Sequence, residues 1–200
     1  MSKLIVSDLT CQRGYNELFS NLSFELNSGE ILKISGANGS GKTSLLKILA
    51  GLNSAESGKL SINNNKVGSY DYQSDILYLG HLPALSPELH CKENLDYLTQ
   101  LNNSNSNQEL DNALKNVGLK NFEYEYAANL SAGQKRRVVL SALFVTQAKV
   151  WLLDEPFTAL DSNGINVIET QITKHCDDGG ICILTTHQEC NLSGLRILNL

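Results

Sequence analysis

Gly36-Ala37-Asn38-Gly39-Ser40-Gly41-Lys42-Thr43 is the stretch that decides what this chain is. It follows an apolar run, Ile31–Ser35, with the character of a buried strand. It feeds a helical run from Lys42 to Ala50 that Gly51 closes. The eight residues fit G-x-x-x-x-G-K-[ST] between a strand and a helix, the arrangement in which backbone cradles phosphate. Glycines let the chain curl so that several N–H groups converge as an anion nest at a helix N-terminus. Lys42 then sets a point charge on the terminal phosphates of a nucleotide, and the Thr43 hydroxyl is a candidate ligand for Mg²⁺. A chance match to the four fixed positions in a chain of this length is on the order of one per cent.

A second stretch, Val150-Trp151-Leu152-Leu153-Asp154-Glu155, is an apolar strand ending in two carboxylates. Asp154 is placed to hold Mg²⁺ through its water shell, and Glu155 to orient or deprotonate a water attacking the γ-phosphate. An apolar run ending in Asp-Glu is common by itself. Beside the phosphate loop it makes nucleotide hydrolysis the leading expectation.

Strand patterns occur at Leu4–Leu9, Leu22–Leu26, Lys59–Ile62, Ile181–Thr185 and near Leu195–Leu200, besides the two already named. Helical patterns fall at Lys92–Leu101, at Gln108–Val117, after Gly133 and from about Gly164, with the polar run 102–107 reading as an exposed loop. Alternation of strands and helices predicts a mainly parallel sheet covered on both faces. No linker divides the chain, so residues 1–200 are expected to form one domain, with a helical subdomain at about 84–147 inserted in the α/β core.

The 200 residues are 42% hydrophobic, 18% charged and 6% aromatic, which suits a packed core and excludes a disordered or collagen-like chain. With a net charge of −5 and a pI near 5.4 there is no basic field to hold nucleic acid, and none is expected as a partner. The short basic run Lys135-Arg136-Arg137 reads as a solvated helix face near bound phosphates. Val138 to Leu153 is the longest weakly polar stretch and is too short to cross a bilayer. The opening residues MSKLIVSDLT lack the apolar segment of an export signal, so a soluble, cytosol-facing domain is expected. Cys11, Cys91, Cys176, Cys182 and Cys190 contain no C-x-x-C pair, which argues against a disulfide framework or a zinc site. His187 with Cys190, and His175 with Cys176, are not read as metal ligands.

Leu130-Ser131-Ala132-Gly133-Gln134 places Gln134 20 residues before Asp154. Alone, this string is an ordinary helix start capped by Ser131. In register with the other two motifs it resembles the LSGGQ signature of ATP-binding-cassette (ABC) ATPases, with Ala132 replacing the first glycine. The resemblance implies an α/β P-loop NTPase of the ABC ATPase type. Such a domain has a mainly parallel sheet core, an N-terminal antiparallel β part and an inserted helical subdomain. It also implies ATP with Mg²⁺, and a homodimer of ATPase subunits packed head to tail. Ser131, Gly133 and Gln134 of one subunit would then meet the nucleotide held by the other. Thr158-Ala159-Leu160-Asp161 resembles the loop by which each subunit senses its partner, and His187 resembles the switch histidine that contacts γ-phosphate and steadies Glu155.

Tyr78-Leu79-Gly80-His81-Leu82-Pro83, the signature Ala132 and Thr185-Thr186-His187-Gln188 narrow the likeness to the ATPase subunits of cytochrome c maturation systems, the haem exporter ATP-binding proteins. That likeness implies a peripheral subunit on the cytoplasmic face of the inner membrane, docked on integral membrane permease subunits. Its work would be haem export or release of a haem-carrying chaperone. No residue set marks a haem site in this chain. His81 stands where the general ABC pattern has a glutamine joining Mg²⁺ and the membrane subunit. Arg13, 23 residues before Gly36, stands where an aromatic usually stacks on adenine, with Tyr15 close by as the other candidate. The competing readings are another transporter's ATPase subunit or a soluble ABC-family ATPase. A P-loop kinase would leave Leu130–Gln134 unexplained.

Overall fold

In the computed structural model, which describes residues 2–100 and 105–200, the apolar runs pair into two sheets. The strands are β1 (Lys3–Arg13), β2 (Asn16–Asn27), β3 (Ile31–Ser35), β4 (Ser57–Ile62), β5 (Asn65–Lys66), β6 (Ile76–Leu79), β7 (Val150–Asp154), β8 (Ile181–Thr185) and β9 (Leu195–Asn199). The larger sheet has the order β6-β7-β8-β3-β9 and is parallel throughout. The smaller one, β2-β1-β4-β5, is antiparallel.

Side-chain alternation explains why the central strands read as unbroken apolar runs. Val150 and Leu152 of β7, with Ile181 and Ile183 of β8, face a core shared with the antiparallel sheet and α1 (Lys42–Leu49). Trp151 and Leu153, with Cys182 and Leu184, face the opposite core. Both faces are covered, so neither can be polar. The second core is completed by α3 (Cys91–Thr99), α4 (Asn107–Asn116), α5 (Ala132–Ser141) and α6 (Ser162–Asp177), through Leu95, Leu114, Leu140 and Ile172 among others. A further short helix, α2 (Tyr70–Ser74), precedes β6.

Several expected elements are longer than their periodicity suggested. β1 and β2 extend well past Leu4–Leu9 and Leu22–Leu26 because they pair with each other as a hairpin from Lys3↔Asn27 to Arg13↔Asn16, with register shifts along the way. Pairing of this kind is invisible to a pattern confined to one strand. β6 was not expected as a strand; four residues carry too little periodicity, and only the neighbouring β7 draws them into the sheet. Much of the expected 102–107 loop lies outside the described residues. Its end is described: Ser106 caps α4 by accepting from Glu109 N at 3.3 Å, and Asn107 is already helical.

Parallel pairing has one consequence for function. The carboxyl ends of β3, β6, β7 and β8 all open on the same edge of the sheet, where ligands of open α/β sheets bind. The phosphate loop, Gly80-His81, Asp154-Glu155 and His187 follow those four ends.

Candidate nucleotide site

The loop from Gly36 to Thr43 turns on residues with positive φ: 152° at Gly36, 86° at Gly39 and 102° at Gly41. A side chain at Gly36 is excluded, since its Cβ would lie 2.6 Å from Ser40 Oγ and 2.8 Å from the Leu200 carbonyl oxygen. Gly41 is the N-cap of α1 and no side chain caps that helix, which leaves its first N–H groups to a ligand. Lys42 Nζ donates to the carbonyls of Gly36 and Ala37 at 2.8 and 2.9 Å. Those bonds hold the ammonium over the loop and can be exchanged for phosphate oxygens.

Two threonines orient Asp154, which is 2% exposed. Thr43 Oγ1 donates to its Oδ2 at 2.9 Å and Thr185 Oγ1 to its Oδ1 at 2.7 Å. With its hydrogen directed at Asp154, the Thr43 hydroxyl keeps its lone pairs for a cation. This donor set of hydroxyl and carboxylate oxygens suits a hard ion such as Mg²⁺ carried in with nucleotide. Thr185 was given no site role from the sequence, where it only ends an apolar strand and opens the string Thr185–Gln188.

Glu155 sits at φ 52°, a left-handed conformation for a non-glycine residue. Such geometry costs about 1–3 kcal/mol and persists only where surroundings impose it. Here the Glu155 N–H is held by the Thr185 carbonyl at 3.1 Å and by Thr185 Oγ1 at 3.0 Å. The carboxylate consequently swings across the end of β8. Its Oε2 accepts from the His187 backbone N–H at 3.3 Å, and its Oε1 lies 3.7 Å from His187 Nε2. The imidazole itself is exposed.

Lys42, Thr43, Asp154, Glu155 and His187 line a cleft of about 980 Å³ with Asn38, Gly39, Gly41, His81, Thr158 and Arg13. Arg13 therefore borders the site where an adenine-stacking aromatic was looked for. Tyr15 is fully exposed and does not line the cleft. His81 is at the exposed rim. Tyr78, below it, is pushed up to about 12 by burial, with Asp154 adding to the rise and Arg136 opposing it.

The basic run needs correcting. Arg136 is not on a solvated face: it is 2% exposed and reaches under the cleft to the carbonyls of Gly80 (2.7 Å), Asp154 (3.0 Å) and Glu155 (2.7 Å). Arg137 bonds the Val117 carbonyl and pairs with Asp161 at 2.9 Å, also half-buried. Three adjacent cations look like one exposed face in a sequence. On a helix, neighbours point about 100° apart, so one faces the core.

Ser131, Gly133 and Gln134 are not brought to this cleft. Ser131 caps α5 in a reciprocal box with Gln134, Ser131 Oγ accepting from Gln134 N at 3.2 Å and Gln134 Oε1 from Ser131 N at 2.9 Å. All three line a separate concavity with Ala159 and Asp161. The loop 158–161 thus runs from Thr158 in the first cleft to Ala159 and Asp161 in the second.

The chain is similar to known proteins over most of its length. Residues 19–158 match the ABC transporter family. The chain is 45% identical, over its whole length and 94% of the other protein, to a cytochrome c biogenesis ATP-binding export protein of Mannheimia succiniciproducens. Its counterpart in Haemophilus influenzae is 42% identical over 99% of this chain and 95% of its own. Among solved structures, an ATP-binding subunit of an ABC transporter superposes with a TM-score of 0.84 at 25% identity, over 92% of this chain and 79% of that one. A dimeric ATP-binding cassette in a post-hydrolysis state with ADP and Pi superposes at 0.81 and 24% identity, over 92% of this chain and 88% of that one. Phosphate loop, paired carboxylates, signature helix and these likenesses converge: the chain belongs to the ABC transporter family of ATP-binding proteins, in its cytochrome c biogenesis export branch.

Proposed function

We propose that the chain works as the ATP-hydrolysing subunit of a membrane ABC complex serving c-type cytochrome biogenesis, with Glu155 and His187 as its reaction residues. The chain is an ABC ATPase, and its substrate is nucleotide. In the proposed reaction the N–H groups of residues 36–43 and the Lys42 ammonium bind the phosphates. Thr43 and Asp154 would hold a Mg²⁺ brought with ATP, which would supply positive charge to offset that of the phosphate oxygens. His81, at the exposed rim, would accept a hydrogen bond from the attacking water. Glu155 accepts a proton from, or orients, the water in line with the γ-phosphate, and His187 keeps Glu155 in place while contacting that phosphate.

Ser131, Gly133 and Gln134 lie away from this chain's own cleft, which supports a homodimer closed head to tail, each signature helix aimed at the nucleotide of the other subunit. Residues 1–200 act as one ABC domain with a helical part at about 84–147. Among the described residues no helix is long and apolar enough to cross a membrane. The subunit is peripheral on the cytoplasmic face of the inner membrane, docked on permease subunits. Those partners carry the specificity for haem or for a haem-carrying chaperone.

The observation that carries the reading is the contact of Thr43, Asp154, Thr185, Glu155 and His187 at one sheet edge. Glu155→Gln tests it. The variant should bind MgATP as the wild type does, accumulate as an ATP-bound dimer, and hydrolyse at least a hundredfold more slowly, the scale of lost general-base help. Wild-type turnover in that variant would remove Glu155 from the reaction.

A further inference from the structure

Arg136 is a buried cation with no carboxylate in direct contact among the described residues: Asp154 and Glu155 act on its charge only through space, and its Nε has no partner. Its two terminal nitrogens bind three main-chain carbonyls instead, Gly80 on one side and Asp154 and Glu155 on the other. As a fold-stabilising device this is a poor choice, because taking a guanidinium out of water costs several kcal/mol and an apolar side chain would fill the space more cheaply. The arrangement has a geometric effect that no apolar residue would supply. It joins the peptide leading into His81 to the backbone that aims Glu155.

The helix that carries Arg136 adds a second consequence. Ser131, at the start of α5, is exposed and lines the outer concavity. Arg136 follows five residues later, about 140° around the axis, and points the other way into the floor of this chain's own cleft. One short rigid segment thus ends at both places.

We infer that Arg136 is a positioning residue: it fastens the His81 loop to Glu155 and transmits displacement of the signature end of α5 to this chain's own reaction site. The inference deepens the proposed function and rests on its assignment of Glu155, His81 and Ser131. When Ser131 is drawn toward the nucleotide of the other subunit, Arg136 moves with α5, and the carbonyls of Gly80, Asp154 and Glu155 follow. Occupancy of one composite site thereby sets the aim of the carboxylate in the other.

The test uses the complex purified from membranes with its partner subunits. Arg136→Gln and Arg136→Lys are assayed for kcat, for KM of MgATP, for Kd of a non-hydrolysable ATP analogue and for folding by circular dichroism. For Arg136→Gln the expectation is a fall in kcat of thirtyfold or more, with KM and Kd within threefold of wild type. Arg136→Lys keeps the charge and part of the hydrogen bonding, and should recover a fraction of the lost kcat. A kcat within twofold of wild type in a folded Gln variant would overturn the inference. So would a loss of kcat matched by an equal loss of nucleotide affinity, the mark of a collapsed cleft. If Arg136→Gln does not fold, Arg136→Lys reads the same split; if neither folds, Arg136 serves the fold alone and the inference falls. Glu155→Gln on the same preparation separates the two levels. Wild-type turnover there defeats the functional reading, whereas its loss alongside normal turnover in Arg136→Gln removes only the positioning role.

Discussion

Replacing Thr185 by valine isolates one hydroxyl at the centre of the site. The side chain is fully buried, β-branched like valine and in a strand, so shape and backbone preference are kept and only polarity changes. Two bonds are lost: the 2.7 Å donation to Asp154 Oδ1 and the 3.0 Å acceptance from the Glu155 N–H. The second is nearly free of cost, since that N–H retains the Thr185 carbonyl at 3.1 Å. The first leaves a carboxylate oxygen of a 2% exposed residue unsatisfied, a penalty of about 1–3 kcal/mol. For a domain of this size that corresponds to a Tm lower by roughly 2–4 °C per kcal/mol, or about 4–8 °C at the middle of the range. Asp154, held then by Thr43 alone, loses its orientation, and kcat should fall by more than tenfold. Differential scanning calorimetry on Thr185→Val, Asp154→Asn and the double variant measures the coupling directly, which is expected to be about 0.5–3 kcal/mol. Additive Tm changes, together with wild-type turnover in Thr185→Val, would refute the reasoning.

Two further outcomes are expected. Ser131→Arg should lose only about 1 kcal/mol of stability with the cap and bind MgATP through Lys42 as before, yet fail to dimerise in a Glu155→Gln background. A normal dimer by light scattering would contradict the head-to-tail arrangement. His175 stacks on Trp151 with ring centroids 3.7 Å apart and is pushed down from 6.5 to about 4 by burial. A folded value below the unfolded one means stability present above pH 6.5 drains away as pH falls toward 4, by on the order of 3 kcal/mol. His175→Phe should keep the stack and flatten that acid-side decline in Tm; an unchanged slope would show that His175 does not drive it.

Glu155 and Arg136 mark the boundary between sequence and structure most plainly. The phosphate loop, the acidic strand end and the signature string were legible because each is local. Their function depends on a few residues at fixed spacing, and backbone geometry over such short stretches follows from residue type. The central parallel sheet was legible for a related reason, since burial on both faces forces continuous apolar runs in β7 and β8. What belongs to pairs of distant segments was not legible. The length of β1 and β2 comes from their mutual register, and β6 exists because β7 lies beside it. The same holds for Thr185 on Asp154 and for Arg136 on three carbonyls: a threonine ending a strand and an arginine in a basic run carry no signal of what they will face. Periodicity shows which side of an element is buried, but a hydrogen bond needs its partner within about 3 Å, and only the packing of α5 against the ends of β6 and β7 brings those partners there.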